Sequence, residues 1–304
     1  MKKLFFKTKK LTCQILAMGF IAFMCSSSLI SCIANDDDDD DDDFPQELMS
    51  GDLDDAPYKN DAVKYTVTGD SEIGFIELTA SGNYIIMPPS DETNQHLITQ
   101  NKTIFQAQNI IASRTIDLAN AHYGTFTKSD DNTYELSDFG TIQEKDNNQL
   151  IIKEEGQTER TVSFEKAQTN KENTLNNRLN HTWELISATI KITSSNGKIL
   201  FSKNITDQTT LEEEFVKAIL VTNHGSFYQI EWNNEISDYG LWQWSDETNQ
   251  IFTYTWLTDT PEGGSVQVKF KDDTADFYET HYEYSEEYGQ EITIMTIAHT
   301  KAIN

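Results

Sequence analysis

The side chains able to move protons, attack carbonyls or hold metals are numerous in this chain, but their spacing does not bring them together. Its 304 residues include 6 His, 3 Cys and 50 Asp plus Glu. His96, His122, His181, His224, His281 and His299 are scattered, and none belongs to a His-Glu-x-x-His metal motif. There is no Gly-x-Ser-x-Gly nucleophile turn and no Gly-rich phosphate loop. His281 and Glu283 would share a strand face and could ligate a metal, yet no third ligand accompanies them; a partly exposed strand histidine is the plainer reading. Paired carboxylates serve glycoside hydrolysis, but in a chain this acidic such pairs arise by chance. The chain therefore reads as non-enzymatic, with neither cofactor nor metal.

Aromatic residues are the more pointed signal: 16 Phe, 12 Tyr and 5 Trp. They form stripes at period two. Trp242 and Trp244 share one face; Phe252, Tyr254 and Trp256 share another; Tyr278, Tyr282 and Tyr284 form a third. Rings that point inward would fill a core, the reading favoured for Trp183, Trp242 and Phe126. Rings that point outward would make a wall or platform for a ligand. Tyr278, Tyr282 and Tyr284, flanked by Glu279, Glu283, Glu286 and Glu287, are the expected exposed set. Trp242, Trp244, Trp256, Tyr278, Tyr282 and Tyr284 are accordingly the candidate ligand-binding residues.

The elements that must carry these side chains are short strands. From residue 60 onward, apolar and polar residues alternate or cluster in runs of four to six, as in Phe75-Ile76-Glu77-Leu78, Gln149 to Lys153, Thr161 to Phe164 and Ile292 to Ile297. Val266, Val268 and Phe270 share one face. Turn signals recur every ~8–15 residues, the spacing of a sandwich or barrel. The pattern also repeats. Tyr123-Gly124-Thr125-Phe126 aligns with Tyr239-Gly240-Leu241-Trp242, and Leu78 to Tyr84 aligns with Val221 to Phe227, each a strand, a glycine turn and a strand. The offsets differ, so the first unit holds an insertion within 88–122. One helix is predicted, from a capping box of Thr210 with Glu213 and a face of Leu211, Phe215, Ala218 and Ile219. The run from Ala218 to Thr222 reads equally as the start of the next strand.

The N-terminal region reads as an address. Lys2, Lys3, Lys7, Lys9 and Lys10 precede an apolar run from Ile15 to Cys25, the pattern of a secretory signal peptide and too short to span a membrane. Leu29-Ile30-Ser31-Cys32 then resembles the lipobox of bacterial lipoproteins. The resemblance implies cleavage between Ser31 and Cys32, acylation of the Cys32 thiol and a lipid-anchored mature chain; two or more acyl chains anchor stably. Cys13 and Cys25 would leave with the leader, so no disulfide is expected. Asp36 to Asp43 is an unbroken acidic run that cannot fold on its own. With its neighbours it reads as a tether over 32–58, able to reach roughly 90 Å at ~3.4 Å per residue. The run also resembles acidic export tracts of surface lipoproteins, which implies an outer-membrane protein facing the medium. Weak Ca²⁺ binding is a lesser alternative. A net charge of −27 argues against nucleic acid as a partner.

The second unit opens Leu179-Asn180-His181-Thr182-Trp183-Glu184-Leu185 and later carries Gly240-Leu241-Trp242. This resembles the lipocalin-like domains of bacterial lipoproteins, with His181 where the family usually has Gly. The resemblance covers about 178–304, and 60–168 through the internal repeat. It implies a mainly β fold of tandem antiparallel barrels or half-barrels with one or two short helices: 1–31 leader, 32–58 lipidated Cys and tether, 59–170 first unit, 171–304 second unit. It also implies binding of a glycan or a small apolar ligand; the alternative is a structural subunit or adhesin with an envelope protein as partner.

Overall fold

In the computed structural model, residues 48–89, 118, 120–129, 132–170, 173–257 and 263–303 are described here. Ser31, Cys32, the aspartate run and most of the 88–122 insertion lie outside them. A two-residue strand β1 (Met49–Ser50) comes first. The first barrel then runs through β2 (Val63–Thr68), β3 (Phe75–Leu78), β4 (Asn83–Met87), β5 (His122–Lys128), β6 (Thr133–Leu136), β7 (Gly140–Lys145), β8 (Gln149–Glu154) and β9 (Arg160–Lys166). Each strand pairs antiparallel with the next, and β9 returns to β2, so no edge is left unpaired.

The second unit begins with helix α1 (Thr174–Leu179). Its strands are β10 (Thr182–Ser194), β11 (Ile199–Ile205), β12 (Ala218–Val221), β13 (Ser226–Ile230), β14 (Ile236–Asp246), β15 (Ile251–Trp256), β16 (Gly263–Lys271), β17 (Thr274–Ser285) and β18 (Gln290–Ile303). Eight of these close a second antiparallel barrel through the β16–β17 and β10–β18 pairings, while β11 is a hairpin partner of β10 outside the ring. Two closed, up-and-down, eight-stranded barrels are thus the architecture, as expected of tandem lipocalin-like units.

Helix α2 (Gln208–Glu214) lies between β11 and β12. Its N-cap is Asp207, whose carboxylate accepts from the Thr210 backbone N–H at 2.9 Å; Thr210 is inside the first turn, not the cap. Leu211 and Phe215 bury as expected, but Ala218 and Ile219 already belong to β12, so the strand alternative holds for that run.

The repeat seen in the sequence is a structural repeat. Thr79 and Thr222 each take a backbone bond from the turn glycine, Gly82 (φ +84) or Gly225 (φ +76). Tyr84 pairs with Gly124 as Phe227 pairs with Gly240. In each case a Cβ on the glycine would fall within 2.5–2.7 Å of the facing ring, so only glycine lets the aromatic lie flat across the neighbouring strand. Tyr65, fully buried, occupies in the first barrel the place of Trp183 in the second: each pairs in turn with the closing strand, opposite Lys166 and Ala302.

The tether expected over 32–58 is shorter at its described end. Met49 and Ser50 add to the second barrel, parallel to β16, and Ala56 is buried. Arg178 in α1 fixes this segment by donating to the carbonyls of Gly51 (2.7 Å) and Ser50 (3.3 Å). The bias toward acidic residues hid Leu53 and Ala56: Leu53 packs against the second core and Ala56 is buried.

Candidate functional site

The expected ligand residues divide between inside and outside. Trp242 and Trp256 are interior, at 4% and 0% exposure. They pack in a ring-lined core with Trp183, Phe227, Phe252, Phe270 and Phe277; Phe227 and Trp256 are 4.4 Å apart. Both barrels bury aromatics in this way: Tyr65, Tyr84, Phe126 and Phe164 fill the first. Trp244 is half-buried against the core, and its indole N–H donates to the Asn176 side chain.

The third stripe lies elsewhere. Tyr282 and Tyr284 are 70% and 64% exposed, the two exposed aromatics among the described residues, and Tyr278 is half-buried. All three point from the same outer face of β17, opposite Ile297, Thr293 and Glu291 of β18. Burial, reinforced by the Asp276 carboxylate, pushes the Tyr278 hydroxyl up to about 12, so it stays a neutral donor. The structure therefore does not unite the six candidates: Trp242 and Trp256 face the core, while the tyrosines form one external row.

The same outer face carries a row that the sequence did not disclose. Thr189 Oγ1 lies 3.1 Å from His299 Nε2, and His299 Nδ1 lies 2.8 Å from Asp276 Oδ1. Hydroxyl, imidazole and carboxylate stand in the order of an acyl-transfer triad. Around Thr189, His299 and Asp276, however, the strands are paired on both sides in the β11–β10–β18–β17–β16 ladder, which engages the backbone beside the three side chains. Cross-strand register brings the three together, and no local spacing could have shown it. His281 and Glu283 do meet, at 3.4 Å, but no group of three or more His, Cys, Asp or Glu is placed to hold a metal among the described residues.

A second cluster of chemically capable groups lies between the barrels. Lys64 Nζ donates to Ser226 Oγ at 2.7 Å and stands 3.5 Å from Glu77. Glu77 also accepts from the Tyr228 hydroxyl at 2.5 Å and faces His224 Nδ1 at 3.0 Å. Burial alone would push Glu77 up, but the Lys64 ammonium and His224 outweigh it and hold the carboxyl well below its usual range. Lys64, Glu77 and Tyr228 are all at most 1% exposed, so no substrate reaches them. Around them Phe75, Ile85 and Met87 of the first barrel pack on Leu220, Ile230 and Tyr239 of the second. This docking explains why β3, β4, β12 and β13 are buried on both faces. The available cue was a glutamate set inside the otherwise apolar β3.

Fold and placement together define a class of protein: two up-and-down barrels with filled interiors, docked side to side, whose reachable aromatics are external. No family model matches the chain, and no curated protein or solved structure matches it.

Proposed function

We propose that this chain is a lipid-anchored cell-surface protein that binds a glycan non-enzymatically on the outer face of its second barrel. The observation that carries the reading is the exposure of Tyr282 and Tyr284, 70% and 64%, on one strand face. A tyrosine ring left in water presents an apolar body and a polar tip, a surface suited to the C–H face and hydroxyls of a sugar. Residues i and i+2 on a strand stand about 7 Å apart, so successive rings of a glycan would meet successive tyrosines. A small apolar ligand finds less support, because aromatic side chains occupy the barrel interiors. The address in the sequence, Cys32 followed by acidic residues, supports placement of the chain on the outer membrane.

The test is a glycan array probed with the full chain and with its Tyr282→Ala/Tyr284→Ala variant. The expected result is retention on a restricted set of glycans, lost in the variant. No retention, or undiminished retention by the variant, would overturn the reading. Filled interiors also favour a second reading, a structural subunit or adhesin bound to an envelope protein. A stoichiometric protein partner recovered from detergent-solubilised membranes would support it. For the anchor, Cys32→Ala should move the chain from the detergent phase to the aqueous phase in phase partitioning.

A further inference from the structure

A polar cleft of about 250 Å³ opens where the two units meet, and its walls are unusually uniform. Asn60, Asn170, Asn176, Asn177, Asn180 and Asn223 all line it. They come from the turn ahead of β2, the segment after β9, helix α1 and the β12–β13 turn. These segments are held together. The Asn170 N–H donates to the Asn223 carbonyl at 2.6 Å, and the Asn180 N–H closes α1 on the Asn176 carbonyl at 2.9 Å. Trp244 fixes the Asn176 carboxamide through its indole N–H. Ala56, Ala62 and Ala80 add three small apolar residues, and Asp55, Lys59 and Thr169 make up the rest of the lining.

One atom in this wall is in deficit. Asn180 is 6% exposed, and its side-chain Oδ1 is buried without a hydrogen-bond partner. A buried acceptor left unmade costs roughly 1–3 kcal/mol, a local deficit in the wall that Asn180 helps to form. The cleft would hold about eight waters at ~30 Å³ each, more than one bridging water needs. It is smaller than the ~300–1,000 Å³ of drug-sized sites.

We infer that this cleft binds a single neutral sugar ring, a site separate from the tyrosine face of β17. A carboxamide carries two donors and an acceptor, the complement of vicinal hydroxyls that both donate and accept; that of Asn176 already accepts from Trp244. The alanine methyls suit the ring's C–H face. The charged residues at the rim, Asp55 and Lys59, pair with each other at 3.5 Å, so the wall presents no unmatched charge to favour an ionic ligand. The net charge of −27 further disfavours an anion.

The experiment is calorimetric titration of the full chain, in a detergent without sugar headgroups, with glucose, galactose, mannose and N-acetylglucosamine. At least one should give saturable heat within about a hundredfold of a ~1 mM dissociation constant. Asn180→Leu should abolish that heat. Asn60→Leu, at an exposed rim position, should weaken binding by about tenfold or more. The same titrations on the Tyr282→Ala/Tyr284→Ala variant remove any contribution of the glycan face; the saturable heat that remains is the cleft's, and adding Asn180→Leu to that background should abolish it. Should Asn180→Leu fail to fold, Asn60→Leu decides alone. The inference is overturned if no sugar gives saturable heat, if the tyrosine variant gives none, or if binding survives the asparagine substitutions in the tyrosine-variant background.

Discussion

Glu77 shows what burial and pairing do to a single carboxyl. Its pKa is lowered against the pull of burial by Lys64 and His224, and that of Lys64 is raised, because Glu77 and Tyr239 outweigh its own burial. The linkage signs follow. A depressed carboxyl contributes stability above its unfolded value near 4.5, and loses it as the pH falls toward the folded value. A raised lysine contributes fully below its unfolded value near 10.5 and loses it as the pH rises through its folded value. The contribution of this pair to the denaturation midpoint should therefore be flat between about pH 5 and 10 and should fall on acidification below about 4.5, as urea titrations at stepped pH would show. Lys64→Met should cost about 3–5 kcal/mol, because it strands a buried charge. Adding Glu77→Gln should recover much of that loss, since glutamine still accepts from Tyr228 while carrying no charge. The comparison of the two urea midpoints checks both.

At the scale of elements, the glycine–aromatic pair is the device that both barrels share. Gly240→Ala would set a methyl 2.5 Å from the Phe227 ring and 2.6 Å from the Thr255 carbonyl; Gly124→Ala would meet Ser137 and Tyr84 in the same way. Each should destabilise by about 1–3 kcal/mol through overpacking. Gly197→Ala, at a turn with open space around it, should lose only what its positive φ costs. Thermal unfolding of the three variants would rank them. The two strings that carry these pairs were legible because each is local: Thr79, Gly82 and Tyr84 recur as Thr222, Gly225 and Phe227, and Tyr123-Gly124 as Tyr239-Gly240; that the aromatic of one string meets the glycine of the other was not, because the chain between them differs in length in the two units. The place of Tyr65 was not legible, since its equivalence to Trp183 rests on barrel closure across about a hundred residues rather than on a shared string. The tyrosine row was legible from period two alone. The asparagine cleft was not, because its asparagines come from four separate segments.

At the scale of the whole molecule, the two barrels meet through equivalent positions. Lys64 and Thr182 occupy matching sites, each paired with the residue two before the turn threonine, and Asn83 matches Ser226. Lys64 donates to Ser226, while Thr182 donates to Asn83 at 2.8 Å. Such reciprocity is the mark of an isologous contact, here within one chain, with one half charged and the other neutral. All five tryptophans, Trp183, Trp232, Trp242, Trp244 and Trp256, lie in the second unit. Indole fluorescence thus reports the second barrel alone, and far-ultraviolet circular dichroism reports both. The two urea transitions should coincide in the wild type and separate in Lys64→Met, where the docking is weakened. Separate transitions in the wild type would mean that the interface does not couple the barrels.

The strand Met49–Ser50 reverses the order in which the two halves would feel a load. In the sequence the first barrel follows directly from the N-terminal segment, yet in space that segment is stitched to β16 of the second by the Phe270 N–H on Leu48, the Asp272 N–H on Ser50 and the Arg178 clamp. A tug on the residues ahead of Met49 would be borne by the second barrel, and the first would hang from its neighbour with no strain on its own ring. The half nearer the N-terminus in sequence would be the passenger, and the half farther along would be the mooring.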